Sequence, residues 1–182
     1  MSIQEILENR FSTRAISPQP LSEQQLDRLA QAARLTPSCY NKQPWRFLFL
    51  VSEAARSKGS EALAEGNRTW ASRAPLLVVA HSSEADDCQL PDGRKYHQFD
   101  LGMAVMNLML AATEMGLVAR PMAGFDPSKI SEAFDIPEQA QPLVMVAVGR
   151  PSDDSSHLPD YAKGLADKPR ERKPLEEIIS RL

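Results

Sequence analysis

Arg10 and Arg14 flank Ser12 near the start of the chain, and two more arginines, Arg170 and Arg172, repeat this alternation near the other end. Two guanidinium groups with a hydroxyl between them can donate to a single anion, and a phosphate suits such donors. A solvated basic loop is the alternative, and spacing alone favours it. The arginines therefore mark a candidate phosphate site that needs support from other residues.

Three more polar side chains, Ser38, Asn41 and Asn67, occupy predicted loops beside apolar segments. Ligand contacts commonly lie on such loops because a rigid scaffold positions them. The sequence lacks the glycine-rich dinucleotide and phosphate loops, the H-E-x-x-H metal motif and the G-x-S-x-G nucleophile motif. The side chains by themselves are therefore poorly equipped for catalysis.

Histidine and cysteine do not indicate a metal site. His81, His97 and His157 are separated from one another and from acidic partners, so structural or solvent roles are the better interpretation. Cys39 and Cys88 are too far apart for a C-x-x-C redox or zinc pair, and two cysteines are too few for a disulfide framework. We therefore expect no metal and a reducing, cytoplasmic setting.

The composition is that of one soluble globular domain. The 182 residues are 42% apolar and 25% charged, and the formal net charge is -3. Lysine and arginine are scattered, which favours neither nucleic acid nor an anionic membrane. The first residues are polar and acidic, and no apolar run approaches the ~20 residues of a bilayer span, so we expect neither export nor membrane insertion. We predict a single domain over residues 1–182 with small soluble partners.

Helical and strand patterns alternate in the first half of the chain. Ser2 caps a short helix, and Ser22 with Gln25 forms a capping box for an amphipathic helix whose apolar face includes Ala30. Continuous apolar runs predict buried strands at residues 47–51 and 76–80. The polar, alanine-rich stretch between them predicts one exposed helix over about residues 53–65.

The second half contains the longest predicted helix. It follows a polar loop at residues 82–94 and ends at Gly116, with an apolar period formed by Phe99, Met103, Met106, Leu110 and Met115. Asp126 caps a short helix that begins at Pro127, and residues 143–148 give the strongest strand signal. Residues 152–173 are polar, and residues 175–182 form a last amphipathic segment. Together the elements predict an α+β fold in which helices cover a sheet.

Two segments resemble signatures of the nitroreductase family of flavoproteins. RFSTR at residues 10–14 is similar to the family's R-x-S-x-R, and PSCYNKQPWRF at residues 37–47 is similar to P-S-x-x-N-x-Q-P-W-x-F. Shorter matches follow in the same order, at residues 66–67, 70, 74–75, 99–102, 107–108, 116–117, 121–126, 149–151 and 170–174. The resemblance therefore covers nearly the whole chain.

The resemblance implies a fold and an activity. The fold is α+β, with a mixed, mainly antiparallel central sheet flanked by helices, in an intertwined homodimer that builds each site from both subunits. The activity is that of an FMN-dependent NAD(P)H oxidoreductase, in which flavin N5 takes hydride from NADH or NADPH and passes it to a nitroaromatic, a quinone or another small acceptor by a ping-pong mechanism. The alternatives keep FMN but change the chemistry to dehydrogenation, dehalogenation or flavin breakdown, or leave a non-catalytic FMN carrier.

The resemblance also assigns roles to single residues. Arg10, Ser12 and Arg14 contact the FMN phosphate, ribityl chain and ring edge. Arg170 and Arg172 reach the phosphate from the tail of the partner subunit. No side chain is assigned a catalytic role, because the flavin carries the chemistry. Arg14 is the candidate that stabilises negative charge at flavin N1 and C2, and water supplies the proton.

Other predicted contacts surround the flavin ring. Pro37, Ser38 and Asn41 face the isoalloxazine. Asn67 bonds its pyrimidine side, and Gly124 with the backbone around Ala123 lies near N5, where glycine permits a close approach. The predicted cofactor-binding residues are Arg10, Phe11, Ser12, Arg14, Pro37, Ser38, Cys39, Asn41, Asn67, Pro121, Met122, Ala123, Gly124, Arg170 and Arg172.

Two positions depart from the family's pattern. Phe11 stands where many members have a second arginine, and Ala123 stands where an acidic residue or a second glycine is common. Cys39 is expected close to the flavin as a small packing residue rather than a redox thiol. Trp45 is expected to pack the core and not to contact substrate.

Overall fold

A four-stranded sheet forms the centre of the computed structural model, which describes residues 1–163 and 170–182. Its strands are β1 Trp45–Leu50, β2 Leu76–Ser83, β3 Val118–Met122 and β4 Ala140–Gly149, in the spatial order β1-β2-β4-β3. All three pairings are antiparallel, which confirms the expected α+β fold with a mainly antiparallel sheet. Residues 164–169, part of the predicted polar stretch 152–173, lie outside the described residues.

Helices flank this sheet. They are α1 Ile3–Asn9, α2 Glu23–Arg34, α3 Glu53–Glu61, α4 Glu65–Ala71, α5 Tyr96–Glu114, α6 Pro127–Ala133 and α7 Asp160–Lys163, with 3-10 turns at Cys39–Asn41, Glu84–Asp86 and Leu175–Glu177. The caps predicted at Ser2, Ser22 and Asp126 are confirmed, because each side chain accepts backbone N–H groups of the first helical turn. Ala30 is exposed, so the buried face of α2 is narrower than predicted.

Successive residues of β2 and β4 point to opposite faces of the sheet, and each face carries its own apolar layer. Leu77 and Met145 pack with Trp70 of α4 on one face. Leu76 and Val146 pack with residues of α2 and α5 on the other. The strand β2 is buried along its whole length, as predicted for residues 76–80.

Two strand predictions need correction. The middle of β1 is only half-buried, because β1 lies at an edge of the sheet and pairs on one side. The strand β3 was not predicted, because Arg120 and Pro121 interrupt its short apolar run. Proline lacks a backbone N–H and therefore fits an edge strand, and β3 is the opposite edge.

The single helix predicted over about residues 53–65 is wrong, since the chain forms α3 and α4 there. The two helices are separated at Ala62 and Leu63, both of which are buried. Leu63 also forms an isolated β-bridge with Phe125, which ties the break to the segment after β3. As a result, Asn67 lies within α4 and not in a loop as predicted.

The helix α5 confirms the predicted central helix, but its most buried stripe differs from the predicted one. Leu101 and Leu108 are buried against the sheet. Phe99 is 55% exposed, and Met103 and Met106 are partly exposed. An apolar face of α5 is therefore left incompletely covered within one chain.

The end of the chain is also apolar and exposed. The segment predicted as amphipathic contains one 3-10 turn, and its apolar side chains are all exposed: Leu175, Ile178, Ile179 and Leu182. Within residues 1–163 and 170–182, no helix combines the length and apolar character that a bilayer span would need.

Candidate functional site

The arginines predicted to bind phosphate converge after α1. Arg10 Nη1 donates to Ser12 Oγ at 3.3 Å. Arg170 donates to the carbonyl oxygens of Leu7 at 3.0 Å and Glu8 at 2.9 Å, and also to that of Arg10. Arg170 therefore contacts the residues before and at the start of the R-x-S-x-R segment within one chain. A phosphate contact from the partner's tail stays a prediction.

Arg120 of β3 belongs to the same group, and sequence reasoning missed it. Its Nη1 donates to the Ser12 carbonyl oxygen at 2.6 Å. Its guanidinium carbon lies 5.4 Å from the ring centroid of Trp70, a cation–π contact. The available signal was a charged residue inside a short apolar run, directly before the matched segment that starts at Pro121.

Like charge concentrates at this point of the surface. Burial lowers the pKa of Arg10, and the nearby Arg170 and Arg172 lower it further. Burial, reinforced by Arg14, lowers the pKa of Arg120 to about 10. Both shifts arise because a buried cation loses hydration and neighbouring cations repel it.

These cations have no anionic partner in the described part of the chain. The ion pairs found there lie elsewhere, and none includes Arg10, Arg14, Arg120, Arg170 or Arg172. The Nε groups of Arg14 and Arg120 are buried without a hydrogen-bond partner. Buried donors without an acceptor cost free energy, so a bound anion would satisfy these groups.

A second group of predicted residues meets between α4 and the end of β3. Asn67 Nδ2 and the Ala64 backbone N–H both donate to the Gly124 carbonyl oxygen at 3.0 Å. A Cβ added to Gly124 would lie 2.8 Å from Asn67 Nδ2, so a side chain there would displace the Asn67 amide. Beside them, Met122 is buried, whereas Pro121 and Ala123 are exposed.

The two groups are linked through α4. Asn67 and Trp70 lie about one helical turn apart in α4, and the Trp70 ring makes the cation–π contact with the Arg120 guanidinium. The helix α4 therefore contacts both the cationic cluster, through Trp70, and the Gly124 carbonyl, through Asn67. A phosphate at the arginines and a planar group beside Gly124 could belong to one ligand.

The segment 37–44 forms a separate, tightly turned structure. Tyr40, Asn41 and Gln43 have φ values of 49°, 56° and 48°, which are left-handed and unfavourable for non-glycine residues. The Gln43 N–H donates to Ser38 Oγ at 2.9 Å, and the Cys39 N–H donates to Asp100 Oδ2 of α5 at 3.1 Å. Hydrogen bonds within the segment and the contact with Asp100 together stabilise this turn.

Cys39 is not a free packing residue, which corrects the prediction. It forms a disulfide with Cys88 across 49 residues of sequence, with Cα atoms 5.8 Å apart. The spacing gave no indication of this bond, because the loop after β2 returns to the segment 37–44 only in three dimensions. The buried Trp45 follows this segment, in agreement with its predicted structural role.

The predicted residues thus form groups that one chain does not fully unite. No hydrogen bond within the described residues joins Pro37, Ser38, Cys39 or Asn41 to the arginine cluster or to Gly124. Phe11 is 47% exposed. The Arg172 guanidinium donates to the carbonyl oxygen of Glu171 at 2.6 Å.

Comparison with known proteins identifies the family. The model of the nitroreductase family matches residues 7–150. The oxygen-insensitive NAD(P)H nitroreductase of Salmonella typhimurium is 26% identical over 224 aligned positions, which cover 99% of both chains. Among solved structures, an oxidoreductase containing FMN is 30% identical with a TM-score of 0.86, covering 96% of this chain and 89% of the other. A nitroreductase family protein of Clostridium difficile is 25% identical with a TM-score of 0.82, covering 99% and 98%. With the family model matching most of its length, this chain belongs to the nitroreductase family.

Proposed function

We propose that this protein is an FMN-dependent oxidoreductase that takes hydride from NADH or NADPH and passes it to small acceptors such as nitroaromatics or quinones. The observation that carries the proposal is the cluster of arginines around Ser12, which have no anionic partner among residues 1–163 and 170–182. The similar proteins described as containing FMN or as NAD(P)H nitroreductases support the same cofactor and donor.

The arginine cluster is proposed to hold the FMN phosphate. Arg10, Arg120 and Arg170 are fixed by hydrogen bonds to Ser12 or to backbone carbonyls around it. Their positions are therefore set before a ligand arrives, which reduces the entropy lost on binding. The buried Nε groups of Arg14 and Arg120 are the donors that gain most from a phosphate or ribityl oxygen.

Asn67 and Gly124 are proposed to position the isoalloxazine. The amide nitrogen of Asn67 is used by the Gly124 carbonyl, so its amide oxygen is the atom left to accept from the pyrimidine side. Gly124 lets the Asn67 amide approach its backbone, because a Cβ there would lie 2.8 Å from Asn67 Nδ2. This approach fixes the side chain that is proposed to bond the flavin.

When bound, FMN supplies the two-electron chemistry in a ping-pong cycle, with N5 as the hydride acceptor and donor. The chain contributes orientation and charge. Arg14, whose Nε lacks a partner, is proposed to stabilise negative charge on the flavin ring edge. No catalytic side chain is proposed.

We further propose that one domain over residues 1–182 acts as a homodimer. Phe99, Met103 and Met106 leave an apolar stripe of α5 partly exposed, and Gly102 beside them has open space around it. The exposed apolar tail at residues 175–182 adds a second unpartnered surface. Large exposed apolar patches usually mark interfaces. A second copy would also bring its segment 37–44 to the site, which one chain leaves separate.

Mixed dimers test this arrangement. One chain carries Arg10→Ala, and the other carries Ser38→Trp, which removes the acceptor of the Gln43 N–H. Each variant alone should lose FMN binding. After chain exchange at equal amounts, each mixed dimer keeps one intact site, so roughly one site in four should bind FMN. No recovery, with exchange verified by mass, would place the whole site within one chain.

A cytoplasmic location and small-molecule partners complete the proposal, with neither nucleic acid nor a membrane as partner. The Cys39–Cys88 disulfide then lies in a compartment where thiol reductants can open it.

The test of the function is an anaerobic absorbance titration with FMN, followed by NADH and separately by NADPH. We expect the visible flavin band to bleach with at least one nucleotide and to return when a nitroaromatic or a quinone is added. Flavin that binds but stays oxidised would favour an FMN carrier. Flavin that is reduced but not reoxidised by these acceptors would favour the other FMN chemistries. An absence of FMN binding would contradict the proposal.

A further inference from the structure

The Cys39–Cys88 disulfide joins two segments that lie before β1 and after β2. Cys39 lies in the 3-10 turn Cys39–Asn41, within the segment 37–44. Cys88 lies in the loop between the turn Glu84–Asp86 and α5. The disulfide therefore connects the segment 37–44, which the resemblance places beside the flavin, to a loop that has no assigned role.

Buried carboxylates hold the backbone of both cysteines. The Cys39 N–H donates to Asp100 Oδ2 at 3.1 Å, and the Cys88 N–H donates to Asp87 Oδ1 at 2.7 Å. Both aspartates are buried, and Asp100 Oδ1 has no hydrogen-bond partner among the residues that the structure describes. Burial raises the pKa of Asp100, and the neighbouring Asp87 raises it further, while the Cys39 N–H lowers it. The disulfide thus joins two backbone segments beside Asp87 and Asp100, whose carboxylates repel each other.

The conformation of the segment 37–44 is one that surrounding contacts must stabilise. Tyr40, Asn41 and Gln43 all have positive φ, a conformation that L-residues adopt only where surrounding contacts impose it. Tyr40 is 82% exposed, so packing of its side chain does not impose the turn. Hydrogen bonds inside the segment close the turn, from the N–H groups of Asn41, Lys42 and Gln43 to Ser38 and Cys39. The disulfide, the Cys39–Asp100 bond and the bond from Arg46 to the Gln43 carbonyl connect the turn to the rest of the chain.

We propose that the Cys39–Cys88 disulfide is a thiol-exchange site that controls the conformation of the segment 37–44 and, through it, the affinity for FMN. The reductant is a small dithiol or a dithiol protein. In the oxidised protein the disulfide keeps the flavin-facing turn formed. In the reduced protein the turn is released. The effect on FMN rests on the proposed function, whereas the change in the turn does not.

The accessibility of the two sulfurs sets the direction of attack. Cys39 is partly exposed and Cys88 is buried. A thiolate of the reductant therefore attacks Cys39 Sγ, the disulfide bond breaks, and Cys88 leaves as a thiolate that takes up a proton. The second thiol of the reductant then displaces Cys39, which also takes up a proton. Two electrons and two protons pass from the dithiol to the protein, and the reductant becomes a disulfide.

Hydrogen exchange provides a test that does not need FMN. The oxidised protein and the protein reduced by dithiothreitol are compared under anaerobic conditions, with thiol content checked by mass. We expect the amides of Cys39 and Gln43 to exchange on the order of tenfold faster after reduction, at short labelling times during which the amides of β2 remain protected in both forms. Equal exchange at residues 37–44 in both forms would overturn the proposal.

The affinity for FMN is measured on the same two samples by quenching of flavin fluorescence. We expect Kd to rise on the order of tenfold on reduction. Cys88→Ser should have the higher Kd with or without dithiothreitol, and it separates the disulfide from other effects of the reductant. Equal affinity in the oxidised and reduced wild type would overturn the control of FMN binding. If neither form binds FMN, the proposed function fails, and the exchange measurement still decides whether the disulfide governs the turn.

Discussion

Replacing Arg120 by methionine should separate ligand binding from folding at the arginine cluster. Methionine keeps most of the side-chain length but removes the charge. The substitution loses the hydrogen bond to the Ser12 carbonyl and the contact with the Trp70 ring. It also relieves the cost of burying a cation beside Arg14. We expect little change in the stability of the free protein and a large loss of FMN affinity.

The magnitudes follow from the geometry. Arg120 has its pKa lowered from the ordinary value of an arginine to about 10. At about 1.4 kcal/mol per pH unit this sets an upper bound of about 3 kcal/mol, and because the side chain is half-buried, screening reduces it to about 1–2 kcal/mol. The lost hydrogen bond and ring contact cost about 1–2 kcal/mol together. These contributions nearly cancel, so the free energy of unfolding should change by less than about 1 kcal/mol. One lost charge-assisted bond to phosphate should raise the Kd for FMN by roughly ten- to a hundredfold.

Urea unfolding of the FMN-free protein and fluorescence titration with FMN measure the two quantities. Arg28→Met is the matched control, because Arg28 pairs with Glu114 on the surface away from the cluster. It should bind FMN like the wild type. Unchanged FMN affinity in Arg120→Met would refute the assignment of Arg120 to the phosphate. A loss of about 3 kcal/mol or more in unfolding free energy would show that Arg120 is mainly structural.

Gly124→Ala places a Cβ 2.8 Å from Asn67 Nδ2, so we expect FMN affinity, measured by titration, to fall roughly tenfold. Gly66→Ala is the control, because its Cβ makes only an ordinary contact at 3.5 Å, and it should bind FMN nearly normally. Equal effects of the two substitutions would contradict the assignment of Gly124. Cys39→Ser removes a link across 49 residues and should lower the free energy of unfolding by about 4 kcal/mol in urea, while a loss below about 1 kcal/mol would show that the closed loop contributes little. Burial lowers the pKa of His81 below 6.5, so the unfolded state binds more protons as the pH falls, and stability should decline from pH 7 towards pH 5. His81→Gln should flatten that decline, and an unchanged slope would assign it to another group.

Elements with strong local signals could be predicted from the sequence. Ser22 and Gln25 form the capping box that their spacing predicts, and Asp126 caps α6 at Pro127. These features depend on residues within one helical turn. The buried strand β2 could also be predicted, because a continuous apolar run has no polar face to expose to solvent.

Features that depend on tertiary contacts could not be predicted. The break between α3 and α4 is stabilised by the bridge from Leu63 to Phe125, which are far apart in sequence. The partial exposure of β1 follows from its edge position, which an apolar run does not reveal. The Cys39–Cys88 bond likewise depends on how two loops meet.

In the candidate site, too, local patterns could be predicted from the sequence, whereas tertiary contacts could not. The alternation of Arg10, Ser12 and Arg14 is visible in sequence, and the structure shows hydrogen bonds and like charge around it. Arg120 was missed because its role depends on the register of β3 beside the R-x-S-x-R segment. The resemblance supplied the positions of Asn67 and Gly124, and the structure added the hydrogen bond between them.

The central claim is that the arginine cluster binds the phosphate of FMN, and comparison of FMN with riboflavin tests it most directly. Riboflavin has the same ring and ribityl chain but no phosphate. Titration of the oxidised protein with each flavin, followed by fluorescence, should give a Kd for FMN at least about a hundredfold lower, because several charge-assisted bonds are lost with the phosphate. Equal affinity for the two flavins would contradict the account.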